Sequence, residues 1–292
     1  MSDPTPATGR EPAAPREPTS GPMRVPPLVR LAARMNAGPA KTLWTLYQRA
    51  VGAQLVHLAT RHVLHLDGLE HLAGVSRERP LLLVANHRSF YDMFVVSSVL
   101  LRRVPGPWRI FFPVRGRYCY HSWKGAALNA VAAGWSMYPP FFREPGTREL
   151  DALMLDRLAA LLREGPGHVV GFHPEGTRNR DPDPWSLLPP HPGVGQLVLR
   201  ARPQVVPVFL AGLDNDARAQ IRDNRPGGPP MRVRFGAPVP AEAYADVPDR
   251  MRGHRDIAHD LMRRIAELAA EDRSAFGPDA AGAGEPAPAL NA

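Results

Sequence analysis

His87 and Asp92 stand five residues apart in the string Val84-Ala85-Asn86-His87-Arg88-Ser89-Phe90-Tyr91-Asp92, directly after an apolar run. A carboxylate on one imidazole nitrogen fixes the tautomer and leaves the other nitrogen free to take a proton. Such a pair suits activation of a hydroxyl for attack on an acyl group. The plainer alternative is that Asp92 caps a helix and His87 bonds the backbone. A second cluster, Val169-Val170-Gly171-Phe172-His173-Pro174-Glu175-Gly176-Thr177-Arg178, repeats the layout of an apolar run ending in a polar turn. Gly176 permits close backbone approach to a ligand. Arg178 offers a planar fork of donors suited to phosphate or carboxylate. Glu175 could orient that arginine or bind an acceptor hydroxyl. Read as an ordinary loop, the same residues would be a surface Glu–Arg pair of little energetic weight.

Each cluster needs elements to position it. The run 80–85 (PLLLVA) is short, apolar and followed by polar residues, which predicts a buried strand. Residues 86–89 are then the turn at its carboxyl end, and Asp92 opens an apolar helix. Positions five apart diverge on one continuous helix. In a strand–turn–helix unit, His87 sits on the turn and Asp92 reaches back from the first helical turn. The carboxyl end of a strand in an open α/β sheet is also where sites usually lie. Strands at 80–85, 169–172, 204–210 and 231–235, separated by helix-like stretches, predict an α/β domain with a largely parallel central sheet. Pro207 places the third at an edge or at an interrupted ladder. The segment 249–273, apolar at Ile257, Leu261, Met262, Ile265 and Leu268, predicts an amphipathic helix packed on the sheet.

Together the two clusters resemble one family. NHRSFYD is similar to the first signature block of the glycerolipid acyltransferases, the 1-acylglycerol-3-phosphate acyltransferase group, and FHPEGTR to their FPEGTR block. Leu66–Leu72 resembles the family's lead-in to its first core strand, Val205–Gly212 its VPV block and Phe235–Val239 its closing strand, so the likeness covers roughly residues 60 to 240. It implies an α/β/α layered sandwich preceded by amphipathic amino-terminal helices. It implies acyl transfer from a thioester, acyl-CoA or acyl carrier protein, to a hydroxyl of a lysophospholipid, with 1-acylglycerol-3-phosphate foremost. His87 would be the base and Asp92 its partner. Glu175, Gly176, Thr177 and Arg178 would bind the acceptor, with Arg178 and Arg143 on its phosphate, and backbone N–H groups at the following helix start would meet the oxyanion. No metal and no cofactor beyond the acyl donor is required. Two departures bear on the acceptor. The aspartate that usually precedes the family's arginine is missing before Arg143, and His191 stands where a lysine is common. The same chemistry on another acceptor, or a non-catalytic lipid-binding protein, are the competing readings.

The remaining features bound the answer. The chain of 292 residues is 44% apolar, enough for one large core. Residues 1–27 are rich in proline and poor in bulky apolar side chains, and 276–292 are mostly alanine, glycine and proline; both predict disorder. Residues 28–275 form the acyltransferase domain, with 28–62 a helical lead-in. No apolar stretch follows a basic start, which predicts no signal peptide. The lone cysteine, Cys119, excludes an intrachain disulfide and fits a reducing compartment. A net charge of +8 implies an anionic partner, and without a nucleic-acid motif an anionic membrane surface fits better. In the lead-in, apolar residues at helical spacing interleave with Arg30, Arg34, Lys41, Arg49 and Arg61, and no span is clean enough to cross a bilayer. This predicts an interfacial helix with Trp44 and Tyr47 at headgroup depth, and a peripheral protein on the cytoplasmic face; a helix packed on the core would show the same pattern. Arg109, Arg115, Arg117 and Lys124 form a further basic cluster, either meeting substrate phosphates or facing solvent.

Overall fold

The computed structural model describes residues 25–278; all but the edges of the two segments expected to be disordered lie outside them. Eight strands form: β1 (Leu64–Asp67), β2 (Leu81–Ala85), β3 (Arg109–Phe111), β4 (Val114–Arg115), β5 (Pro140–Phe141), β6 (His168–Phe172), β7 (Gln204–Ala211) and β8 (Met231–Phe235). Six of them make a sheet in the order β1-β8-β7-β2-β6-β3. Every pairing in it is parallel except β7 with β8, so the reversed pair β1–β8 flanks a parallel block. The expected α/β architecture with a largely parallel sheet and amino-terminal helices is what forms.

The apolar run of β2 explains its place. All five of its residues are buried, as a strand covered on both faces must be. It lies between β6 and β7, with Val84 opposite Phe172 on one side and Pro207 on the other. β7 is therefore central, and the edge alternative for Pro207 falls away. The ladder is interrupted instead. β8 pairs only with Val208–Ala211, and past Phe235 the chain bends so that Gly236 N–H donates to the Pro207 carbonyl. The missing proline N–H thus falls where the partner strand has already ended.

Helices cover the sheet. Met251–Phe276 packs on β7 and on helix Gly193–Ala201, burying Ile257, Leu261, Met262, Ile265 and Leu268 as the periodicity predicts. The lead-in folds as Pro27–Met35, then Gly38–Tyr47 running through a π turn (Gln48–Gly52) into Ala53–Thr60. Three of its residues differ from expectation. Lys41 is buried, not part of a basic face: Nζ donates to the Ile110 carbonyl (2.7 Å) and to Asn36 Oδ1, and lies 4.0 Å above the Phe111 ring. That node ties the lead-in to β3. Trp44 turns inward against Trp135, because the helix needs an apolar side chain there to seat on the domain, and Tyr47 donates to the Val131 carbonyl. The large apolar side chains of the described lead-in left facing out are Leu43, Leu46, Val51, Leu55 and Leu58.

Candidate active site

Because β2 and β6 are adjacent and parallel, the loops leaving their carboxyl ends meet, and these loops carry the two sequence clusters. The crevice lies beyond the strand ends where the chain's winding changes sides of β2. Asp92 is the first residue of helix Asp92–Arg103 and is fully buried. It sets its carboxylate against His87 Nδ1 at 2.9 Å, and accepts the backbone N–H groups of Arg88 (2.8 Å) and Ser89 (3.0 Å). Its carboxylate therefore closes the turn before the helix and orients the histidine at once; it accepts no N–H of the helix itself, so the capping reading of Asp92 falls away. With Nδ1–H given to Asp92, Nε2 of His87 is the free nitrogen.

The turn is pinned from three sides. Asn86 exchanges two hydrogen bonds with the backbone of Leu210 on β7, at 2.8 and 2.9 Å. Glu175 accepts the His87 N–H (2.5 Å) with one oxygen and the Leu188 N–H (2.7 Å) with the other, while the Asn179 N–H donates to the His87 carbonyl (2.7 Å). Ser89 Oγ donates to the Asp214 carbonyl, and Asn215 Oδ1 accepts from both the Phe90 N–H and the Arg178 guanidinium.

This geometry corrects part of the sequence reading. Glu175 is buried with both oxygens occupied by backbone donors, so it neither pairs with Arg178 nor faces an acceptor; a carboxylate can be buried there because two N–H groups are aimed at it. The N–H groups of the turn before the helix, Arg88 to Tyr91, are taken by Asp92, Asn215 and Ser89 and are not open to an oxyanion.

Gly176 (φ +65°) earns its glycine through a neighbour: a Cβ there would lie 2.5 Å from Arg143 Nη1 and 2.7 Å from His191 Cδ2. The Arg143 guanidinium instead donates to the Gly176 carbonyl. Arg143 itself sits at φ +55°, in a turn held by Asp151, whose carboxylate accepts the N–H groups of Phe142 (2.7 Å) and Arg143 (2.9 Å). Asp151 comes from helix Arg148–Arg163, so no local motif could announce it.

His87, Gly176, Thr177, Arg178 and Arg143 line one cavity of about 790 Å³, with Glu175 behind its wall. Arg115 and Arg180 line it too, whereas Arg109, from the same basic cluster as Arg115, leans toward Thr42 and is not in the lining. Among the described residues no ion pair takes up Arg115, Arg143, Arg178 or Arg180. Beside His173, Asn179 and Asn215, the rest of the wall is apolar and aromatic, including Phe90, Phe112, Val114, Tyr118, Leu128 and Phe141.

The electrostatics follow from burial among cations. Burial, then the charges of Arg178 and Arg143, hold His87 down to about 4, so it is neutral near pH 7. Burial pushes Asp92 up to about 6, against its two backbone hydrogen bonds, and it is a carboxylate at pH 7. A neutral imidazole donating to a carboxylate is the resting state of a general base. Burial, then Arg143, also lowers His191, which lies beside Gly176 as a neutral ring outside the cavity lining. Candidate metal ligands His87, Asp92 and His173 offer atoms within 4.8 Å of one another. The two rings are stacked nearly parallel (12°), which aims their lone pairs along side-by-side planes and not at a common point.

An imidazole–carboxylate pair in a basic and apolar cavity, on this sheet, is a layout suited to acyl-group transfer. The chain belongs to the acyltransferase family, whose model matches residues 63–211. It is 27% identical over 188 residues to the human 1-acyl-sn-glycerol-3-phosphate acyltransferase beta, a match covering 63% of this chain and 59% of that protein. Its fold is similar to the crystal structure of the 1-acyl-sn-glycerophosphate (LPA) acyltransferase from Thermotoga maritima, with a TM-score of 0.52 and 16% identity over 85% of this chain and 87% of that one.

Proposed function

We propose that the chain moves a fatty acyl group from an acyl thioester, carried on coenzyme A or acyl carrier protein, to the hydroxyl of a lysophospholipid. The acceptor we favour is 1-acylglycerol-3-phosphate, giving phosphatidic acid. The observation that carries this reading is the neutral His87 held by buried Asp92 in a cavity with four unpaired arginines and an apolar wall. An acceptor that is anionic at one end and greasy at the other matches that lining, and the human relative bears the same activity in its name.

In the reaction, His87 Nε2 takes the acceptor hydroxyl proton as the oxygen attacks the thioester carbonyl. The carbon–sulfur bond then breaks, and the departing thiolate recovers the proton from His87. Asp92 stabilises the imidazolium between these steps. The field of Arg178 and Arg143 favours the negative charge that develops on the carbonyl oxygen, and the same arginines bind the acceptor phosphate. No serine nucleophile and no metal enters the scheme.

The protein would work at the surface of an anionic membrane, on the cytoplasmic face. No helix of the described residues is long and apolar enough to cross one. Leu43, Leu46, Leu55 and Leu58 of the lead-in are exposed, as are Trp123 and Val131 on helix Trp123–Ala133, which Tyr47 fastens beside it. Exposed apolar residues beside basic ones suit an interfacial surface.

A second reading, the same chemistry on an acceptor with a different headgroup, is favoured by one observation: neutral His191 beside Gly176, where a fixed ammonium would add a phosphate counter-charge. Radiolabelled acyl-CoA and acyl carrier protein offered with a panel of lysolipids tests both. Turnover confined to 1-acylglycerol-3-phosphate supports the first reading, and preference for another headgroup supports the second. No transfer to any hydroxyl acceptor would refute both.

A further inference from the structure

We propose that His173 is a positioning residue for His87, a flat aromatic plate that keeps the His87 ring in the plane where its Nδ1–H meets Asp92. The inference rests on the reading of His87 as the base. The two imidazoles are stacked with centroids 4.0 Å apart and planes 12° from parallel. Continuing the register of β2 with β6 places His173 level with Ala85, and the turn two residues on brings the His87 ring face to face with it.

The plate is itself fixed. His173 Nδ1 lies 3.0 Å from the Ala85 carbonyl, so that nitrogen carries the hydrogen and donates it. The ring is therefore anchored to the last residue of the strand that carries His87. The Asp92 hydrogen bond holds one edge of the His87 ring but leaves it able to tilt about that contact. A stacked face removes the tilt, and offset aromatic stacking is favourable in its own right. When His87 accepts a proton, the imidazolium lies over the face of a neutral ring, which suits a cation.

The position asks for a face, not a nitrogen. Aligned on Pro-Glu-Gly-Thr-Arg, His173 occupies the slot of the phenylalanine in the FPEGTR block that this segment resembles. Its free nitrogen is given no proton to carry in this account.

The test uses His173→Phe and His173→Leu in the full chain. Both lose the hydrogen bond to Ala85, so its cost cancels between them; only phenylalanine keeps a stacking face. Acyl transfer to 1-acylglycerol-3-phosphate is measured alongside proton NMR of the hydrogen-bonded His87 imidazole N–H, a downfield, exchange-protected signal. We expect kcat to fall roughly tenfold or more in the leucine variant with KM unchanged, and to stay within about threefold in the phenylalanine variant. The downfield proton should persist in the phenylalanine variant and exchange out in the leucine variant. Unchanged kcat in the leucine variant, or equal impairment in both, would overturn the proposal. If the leucine variant does not fold, the phenylalanine variant decides alone: loss of kcat or of the downfield proton there overturns it. The NMR signal needs no turnover, so a wild-type protein without acyl transfer would refute the proposed function while the stacking claim is still judged on the spectra.

Discussion

Replacing Glu175 with glutamine isolates a residue whose sequence context suggests substrate binding and whose surroundings say otherwise. One carboxylate oxygen accepts the His87 N–H at 2.5 Å and the other the Leu188 N–H at 2.7 Å, in a buried site. A glutamine keeps the shape but turns one oxygen into an amide donor facing a backbone N–H. One buried donor loses its partner, and the surviving bond loses its charge. Leaving a buried donor unpaired costs on the order of 1–3 kcal/mol, and a charge-assisted bond is worth about twice a neutral one, so a total of about 2–3 kcal/mol is expected. For a domain of this size that lowers the melting temperature by roughly 4–12 °C. Because one of the two bonds is to the backbone of His87, kcat should fall while the acceptor KM stays unchanged. Thermal melts and steady-state kinetics of Glu175→Gln check both. A variant that melts like the wild type and shows a raised acceptor KM with intact kcat would refute this reasoning and return Glu175 to the acceptor site.

In the proposed reaction the pair His87–Asp92 works with the histidine neutral and the aspartate ionised. With His87 lowered to about 4 and Asp92 raised to about 6, kcat/KM should be level from pH 8 to about 6 and fall below that as the coupled pair takes up a proton. Arg143→Gln removes one of the charges that lower His87, so the acid limb should move to higher pH; a limb already near 7 in the wild type would contradict the assignment. Gly176→Ala puts a Cβ against the Arg143 guanidinium at a left-handed backbone position. It should cost about 1–2 kcal/mol in urea denaturation and raise the acceptor KM roughly tenfold. Leu43→Glu with Leu46→Glu should weaken sedimentation with phosphatidylglycerol vesicles roughly tenfold or more, and leave activity on a water-soluble short-chain acceptor unchanged.

Much of this was legible in the sequence because it rests on short-range patterning. The run 80–85 reads as a buried strand for the reason that it is one, and the turn behind it has to present His87 at its carboxyl end. The stretch ending at Phe172 does the same for the second cluster, and the C-terminal helix shows its buried face in the spacing of its apolar residues. What could not be read depends on partners far along the chain. Asp151 holds the Arg143 turn from another helix, Asn215 joins Phe90 to Arg178, and Lys41 looks like one more basic residue until β3 supplies a carbonyl and an aromatic ring around it. Glu175 misled for a related reason: its type and its place beside Gly176 suit a ligand contact, and only the meeting of two loops shows backbone donors occupying it. Asn86 was the missed residue with a local signal, since it directly precedes His87 in the first cluster.

The central claim is that His87 is the base of an acyl transfer, and His87→Ala measures it most directly. The variant should melt as a folded protein, because the side chain lies in the cavity wall and the backbone contacts to Glu175 and Asn179 remain. With acyl-CoA and 1-acylglycerol-3-phosphate, its kcat should be lower by roughly a thousandfold or more, within the range that general-base catalysis supplies. A folded His87→Ala protein that keeps kcat within about tenfold of the wild type would contradict the account.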